Sequence, residues 1–350
     1  MYSIRDFLKK EEVDAILINS PENKYYLADF YSSSGYIFIT KHFKYILVDS
    51  RYYQEIINKE LDFELILINS YQSFINSIKK ICKNDKVRSI GVEGNYISFD
   101  EYMSLKKQLN YKIKSINLCE LRKIKKGYEI EHIKKACEVA DETLNYIIEN
   151  IKEGMTEKSV ENMMINYIRS HDDCKEAFDI IVASGKRGAM PHAKATNKVI
   201  NRGDFVTIDF GVRYKYYNSD ITRTLCIGES DRKLSSIYDI VRRANEETIK
   251  KIKHGISIKE IDSIARKIIT DAGYEKYFNH NLGHGLGIKV HEYPDISSLS
   301  EDTIEENMII TIEPGIYIPN LGGVRIEDDI LVTLEGAICL SKTGKDLLII

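Results

Sequence analysis

One ten-residue pattern occurs twice in this chain, about a hundred positions apart, and a fold that accommodates it must be built from two similar halves. Ile151-Lys-Glu-Gly-Met-Thr-Glu-Lys-Ser-Val160 and Ile252-Lys-His-Gly-Ile-Ser-Ile-Lys-Glu-Ile261 share I-K-x-G-[MI]-[TS]-x-K-x-[VI] at a shift of 101. Each copy predicts a helix that stops at glycine and a second helix that starts at a Thr or Ser cap, with Ser257 and Glu260 spaced as a capping box. Ahead of the first copy, Ile130, Ile133, Cys137, Ala140, Leu144, Ile147, Ile148 and Ile151 recur at three and four, as one helix face does, and Gly154 stands where a C′ glycine would. Farther on, Thr207-Ile-Asp-Phe-Gly211 answers Thr311-Ile-Glu-Pro-Gly315 at a shift of 104. Two α+β halves are therefore expected, each a helix pair followed by strands. Each delivers a carboxylate, Asp209 or Glu313, to the same place, which suits a pair of similar ligands facing a common centre.

Residues 1–118 follow a different rule. Ala15-Ile-Leu-Ile, Gly35-Tyr-Ile-Phe-Ile-Thr, Tyr45-Ile-Leu-Val and Leu65-Ile-Leu-Ile are short, Ile- and Tyr-rich runs of the kind that form buried strands. Tyr52–Lys59, Ser73–Lys83 and Asp100–Leu109 are the helix candidates between and after them. This alternation predicts an α/β layer. The basic stretch Leu121–Gly127 marks the change of style, so the expected domains are 1–120 and 121–350.

Composition narrows the function classes. Fifty Lys plus Arg against 53 Asp plus Glu leave a net charge of −3, which argues against a nucleic-acid binder working through bulk positive charge. Six cysteines are scattered without a C-x-x-C pair, as in a reducing compartment. No apolar run of about 18 residues occurs, and Arg5, Asp6, Lys9 and Lys10 interrupt the first residues. The expectation is a soluble cytoplasmic protein with no membrane contact.

The chemistry concentrates in three strand-like stretches and a glycine-rich segment. Asp209 sits among Val206, Ile208 and Phe210, where an unpaired carboxylate is costly to bury and Asp is a poor strand former. Residues 203–226 are expected to form two strands around a turn, with Asp220 beginning the second. Glu313 is in the same predicament within a second stretch, Asn307–Ile318, and Arg325 and Glu327 open a third stretch. Between the halves, His280, His284 and His291 fall within twelve residues among glycines that permit close approach. A single strand Asp usually pairs with an arginine such as Arg223 or Arg325, and a single His is usually structural. That reading would need four independent coincidences here, two of them related by the repeat.

The strings D-F-G, S-D-I-T-R-T, G-H-G-L-G, H-E-x-P, T-I-E-P-G and V-R-I-E-D-D, in this order, resemble those of the pita-bread metallopeptidases. That superfamily comprises methionine aminopeptidase, aminopeptidase P and prolidase. Asn19-Ser-Pro-Glu-Asn-Lys-Tyr-Tyr-Leu and Ile90-Gly-Val-Glu-Gly resemble the creatinase-type N-terminal domain, which favours the aminopeptidase P and prolidase branch. The resemblance implies an α/β creatinase-like domain followed by an α+β pita-bread catalytic domain with an internal pseudo-twofold repeat.

It further implies that Asp209 chelates one divalent cation, that His284 and Glu313 bind a second, and that Asp220 and Glu327 bridge them. Four carboxylates balance two such ions, and four O donors with one N donor suit Mn²⁺, with Co²⁺ or Zn²⁺ as alternatives. Ions roughly 3.5–4 Å apart would hold a bridging hydroxide, with Glu313 relaying its proton. By the same resemblance His192 and His291 steady the substrate carbonyl and the tetrahedral intermediate, His280 lines a proline pocket, and Arg325 backs the bridging glutamate. His42, His132, His171 and His254 match no motif and are expected at the surface.

Asn218, Lys194, and Asn279 and Asn281 on either side of His280 depart from the usual strings. Asp295 stands where archaeal-type prolidases often have a basic residue available to hold a dipeptide's carboxylate. The expected activity is accordingly a dinuclear-metal Xaa-Pro aminopeptidase acting on proline-containing peptides, and a homodimer. The nearest alternative is an Xaa-Pro dipeptidase with the same site, and a remoter one is a metal-free pseudo-peptidase interaction module.

Overall fold

The Ile- and Tyr-rich runs of the first part pair edge to edge. The computed structural model describes residues 4–350 and divides into two compact units, one ending at Arg122 and one spanning Lys123–Ile350. In the first unit, α1 (Ile4–Lys10) and α2 (Pro21–Ala28) flank β1 (Ala15–Ile18), which is followed by β2 (Tyr36–Thr40) and β3 (Lys44–Val48). Then come α3 (Ser50–Ile57), β4 (Glu64–Leu67), α4 (Tyr71–Asn84), β5 (Ser89–Glu93), α5 (Phe99–Leu109) and β6 (Lys112–Ile116). The strands form one sheet in the order β4-β3-β2-β1-β5-β6. Its parallel pairs β3–β4 and β5–β6 are joined through α3 and α5, since parallel neighbours need a crossover.

Alternation along β1 serves two cores. Ala15 and Leu17 pack with Phe74, Ile78 and Ile90 on one face, and Ile16 and Ile18 pack with Phe7, Ile37 and Ile46 on the other. The two N-terminal motifs meet at Glu93, whose carboxylate accepts from the backbone N–H of Asn19 (2.7 Å) and of Ser20 (2.9 Å). The α/β expectation stands for this unit.

The second unit realises the repeat. Its first half is α6 (Gly127–Asn150) and α7 (Glu157–Arg169) with β7 (Cys174–Glu176), β8 (Ile181–Ser184), β9 (Phe205–Phe210), β10 (Val212–Tyr214), β11 (Tyr217–Asn218) and β12 (Ile221–Cys226). Its second half is α8 (Arg232–Ile249) and α9 (Ile258–Asp271) with β13 (Gly283–Gly285), β14 (Glu292–Ile296), β15 (Ile309–Ile312), β16 (Gly315–Ile318), β17 (Gly322–Arg325), β18 (Asp328–Val332) and β19 (Ala337–Cys339). β8, β9 and β12 are neighbours in one sheet, and β13, β15 and β18 are neighbours in the same order in another, all antiparallel. The halves meet where Glu327 N–H donates to the Thr222 carbonyl at 3.1 Å.

Local details differ from the sequence expectation, each for a tertiary reason. Helix α6 ends at Asn150 because Ile151 turns extended and is buried in the core, so Gly154 lies in the following turn at φ +89° and is not the helix cap. Ser257 precedes α9 without a side-chain cap, because its backbone pairs with Thr303 and the Asp302 carbonyl takes the N–H of Ile258 at 3.0 Å. Thr156, by contrast, does cap α7 through Ser159 N–H at 3.0 Å. The span expected as two strands over 203–226 breaks into four, with a turn at Lys215 and Tyr216 that takes both to positive φ. Asp220 therefore lies just before its strand, and Glu327 between β17 and β18.

Glu157, at the start of α7, shows how the fold holds a loop. It is fully buried, accepts from Ser184 N–H (2.8 Å) and Thr196 Oγ1 (2.8 Å), and pairs with Arg187 at 3.0 Å. These donors bracket the segment that carries His192. Glu157→Ala would strand all of them, a loss of about 3–5 kcal/mol. Urea unfolding should show a destabilisation of that order, and a change under about 1 kcal/mol would exclude the anchoring role.

Candidate metal centre

Each half supplies two carboxylates from equivalent strands. Asp209 lies on β9 opposite Thr222 of β12, and Asp220 immediately precedes β12. Glu313 follows β15, and Glu327 immediately precedes β18, whose Asp328 lies opposite Ile312. Asp220, His284 and Glu327 each present a donor atom within 4.8 Å of the other two. His284 Nε2 stands 3.6 Å from Asp220 Oδ2 and 3.6 Å from Glu313 Oε1. The glycine before His284 is required, because a Cβ at Gly283 would overlap the Thr311 carbonyl.

The hydrogen bonds assign the imidazole. His284 Nδ1 lies 3.0 Å from the Gly285 carbonyl and must donate to it, which leaves the Nε2 lone pair facing the carboxylates. Burial, then the neighbouring His291, lowers the His284 pKa to about 4, so the ring is neutral near pH 7. Burial and Glu327 push Asp220 and Glu313 well above the usual carboxylate range, and burial and Asp209 raise Glu327 to about 8. Among the described residues, Arg325 is the one Lys or Arg lining this cavity, and it is engaged with Asp209. Three converging acceptors with nothing positive among them fit a divalent cation, and the oxygen-rich donor set suits a hard or borderline ion.

All nine residues singled out from the sequence line one cavity of about 590 Å³: His192, Asp209, Asp220, His280, His284, His291, Glu313, Arg325 and Glu327. Phe178, Ile181 and Val290 add apolar wall, and Asp295 lies on the same lining. His291 packs edge-to-face on His284 with ring centroids 4.2 Å apart. Arg325, expected behind Glu327, instead pairs directly with Asp209. It reaches Glu327 through Thr222, which accepts from Arg325 Nε (3.1 Å) and donates to Glu327 Oε2 (2.6 Å).

Tyr317 and Asp329 escaped the sequence reading, and Asn218, noted there only as a departure from the usual strings, has structural partners that it did not foresee. Tyr317 accepts from Arg325 at 2.8 Å and lies 3.1 Å from His280 Nε2. Asp329 accepts the Asp220 N–H at 2.9 Å, and the Asn218 amide donates to the carbonyls of Gly287 (2.9 Å) and Ile288 (2.8 Å). Tyr317 lies four positions after Glu313, a spacing that hints at involvement; the long-range partners of Asn218 and Asp329 left no such signal. His42 and His254 are exposed as expected, but His132 and His171 are half-buried, each against tyrosine rings.

Residues 131–334 match the model of metallopeptidase family M24, and residues 1–124 match the creatinase/prolidase N-terminal domain. The chain is 41% identical to a Pyrococcus horikoshii protein named Xaa-Pro dipeptidase, over 99% of this chain and 97% of that one. Among solved structures it is similar to an Xaa-Pro dipeptidase from Bacillus anthracis, with TM-score 0.95 and 37% identity over 99% and 98% of the two chains. It is also similar to an X-Pro aminopeptidase from Thermotoga maritima, with TM-score 0.89 and 34% identity over 98% and 99%.

The His280 environment generates a pH prediction. Its Nδ1 donates to the Asn281 carbonyl at 2.7 Å, so Nε2 is free to accept from the Tyr317 hydroxyl. Burial, then Arg325, lowers its pKa from 6.5 to about 4. A histidine depressed in this way binds fewer protons folded than unfolded, so its contribution is present above pH 6.5 and is lost as pH falls toward 4. Metal-free His280→Gln should therefore lose less stability than wild type between pH 7 and about 4.5 in urea titrations. Equal losses would mean that His280 titrates normally.

Proposed function

Because the chain belongs to metallopeptidase family M24 and begins with a creatinase/prolidase N-terminal domain, we propose that it is an Xaa-Pro dipeptidase, hydrolysing the bond between an N-terminal residue and proline. The convergence of four carboxylates and four histidines on one cavity carries the reading. Relatives named Xaa-Pro dipeptidase move the preference from the aminopeptidase expected from sequence to its dipeptidase alternative.

Asp209, Asp220, His284, Glu313 and Glu327 would hold two divalent cations, Mn²⁺ being the ion proposed. When bound, such ions supply a Lewis acid and a water acidic enough to be deprotonated near neutral pH. The chain's own groups do the rest. Glu313 accepts the attacking water's proton and passes it to the proline nitrogen, which must be protonated to leave. His192 and His291 donate to the carbonyl oxygen as it gains charge. Neutral His280 borders the proline ring, while Phe178, Ile181 and Val290 limit water access. Arg325 holds Asp209 in place and offsets part of the buried negative charge.

Asp220→Ala or Glu327→Ala should lose bound metal and dipeptide hydrolysis together, with activity down by about 100-fold or more, while Asp173→Ala should retain both. Elemental analysis finding two metal ions in the Glu327→Ala protein would exclude the bridging role.

A second reading, Xaa-Pro aminopeptidase, draws on Asp295, an exposed acid on the cavity lining. At an effective dielectric of about 20 and a separation of about 6–8 Å, a dipeptide's carboxylate would be opposed by about 2–3 kcal/mol, less where solvent screens it. Comparing kcat/KM for Xaa-Pro and Xaa-Pro-Yaa separates the readings. Preference for the dipeptide supports the dipeptidase. Preference for the tripeptide, narrowed about tenfold by Asp295→Arg, would support the aminopeptidase.

A further inference from the structure

Asparagine is a poor residue for a helix interior, yet Asn245 lies in α8, fully buried and far in sequence from the second-half motifs it touches. Its side chain is fully used. Nδ2 donates to the carbonyl of Ile312 at 2.9 Å and, more weakly, to that of Ile326 at 3.4 Å. Oδ1 accepts from Lys345 Nζ at 2.7 Å. Only this amide orientation works, because the reverse would set an oxygen against two carbonyls and an NH₂ against an ammonium.

The two carbonyls belong to the residues immediately before Glu313 and Glu327. One amide group thus ties together the peptide bonds that launch both glutamates of the second half. Lys345 also pairs with Asp328 Oδ2 at 2.7 Å, and Asp328 Oδ1 pairs with Arg223 at 2.7 Å. Arg223 in turn donates to the Glu327 carbonyl at 2.6 Å and to the Thr343 carbonyl at 2.7 Å. Tyr238, also on α8, donates to the Lys345 carbonyl at 3.0 Å and seats the C-terminal segment that supplies the lysine. The peptide groups on both sides of Glu327 are therefore clamped, one by Asn245 and one by Arg223. The Ile312–Glu313 peptide is held at its opposite edge as well, where the Glu313 N–H donates to the Leu282 carbonyl at 2.8 Å.

We propose that Asn245, oriented by Lys345, is a positioning residue that fixes the spacing of Glu313 and Glu327 and so sets the affinity of the site for divalent cations. The inference builds on the metal-site reading above. It needs no contact between Asn245 and the cavity, since it acts through the backbone, as outer hydrogen bonds around metal ligands do. Spacing matters because one ion must meet donors from different strands at once, and a freed peptide lets each carboxylate relax away from its neighbour's charge.

The test is Mn²⁺ titration of metal-free full-length protein by calorimetry, with thermal unfolding of the metal-free state measured alongside. Asn245→Asp keeps the size and the acceptor for Lys345 but removes both N–H groups. It should weaken Mn²⁺ binding by about 10–100-fold. Thr248→Val is the control, because Thr248 is buried on the same helix and its hydroxyl bonds only to the Ala244 carbonyl, at 2.7 Å. It should lower the unfolding midpoint and leave Mn²⁺ affinity unchanged.

Wild-type affinity in a folded Asn245→Asp protein would overturn the proposal, as would equal loss of affinity in both variants. If Asn245→Asp does not fold, Lys345→Met decides in its place: weaker Mn²⁺ binding supports the positioning role and unchanged binding overturns it. A wild-type protein that binds no Mn²⁺ or Co²⁺ would instead overturn the metal-site reading.

Discussion

Like charges held close together in a dry place organise the catalytic unit. At about 4 Å and an effective dielectric of about 20, each pair of carboxylates repels by about 4 kcal/mol. Asp220 and Glu327 present donor atoms within 4.8 Å of each other, and Asp209 and Glu313 line the same cavity; the upward pKa shifts of Asp220, Glu313 and Glu327 express burial and that repulsion. Left to themselves they would turn apart or take up protons. The surrounding structure prevents the first: Arg325 holds Asp209, Thr222 bonds Glu327, and Asp329 fixes the amide of Asp220. A divalent cation relieves the second, which makes the affinity of the site a property of the scaffold as much as of its donors.

The scaffold achieves this by duplication. Each half presents three antiparallel strands in the same order, with one carboxylate at the middle strand and another just before the third. Joining the halves at Thr222 and Glu327 brings the two pairs together. Helix α8 then braces the second pair from behind through Asn245. The repeat is thus close in the order of its strands.

Much of this was legible in advance. The shifts of 101 and 104 identified the repeat, and the alternation of short apolar runs identified the α/β unit. Polar residues in apolar strands identified the carboxylates, because burying them without a partner is costly. The misreadings were local. Gly154 and Ser257 carry the right signals for a cap, but burial of Ile151 and the backbone pairing of Ser257 with Thr303 supplied different helix ends. His132 looked like a surface residue because Tyr214 and Tyr217 lie far along the chain and leave no pattern near it, whereas the partner of His171 is Tyr167, one helical turn before it, a local spacing that belongs to no motif.

What the amino-acid sequence determined by itself is therefore the two-part architecture, the duplicated half and the set of polar residues that converge on one cavity. These depend on local periodicity and on residue types that are expensive anywhere else. The pairing of Arg325 with Asp209, the link through Thr222 to Glu327, and the Asn245 clamp on the two glutamate-bearing strands were decided only in the tertiary structure. Each joins residues that sequence keeps 67 to 116 positions apart, and a single hydrogen bond at that range is set by how helices and sheets pack, not by any pattern along the chain.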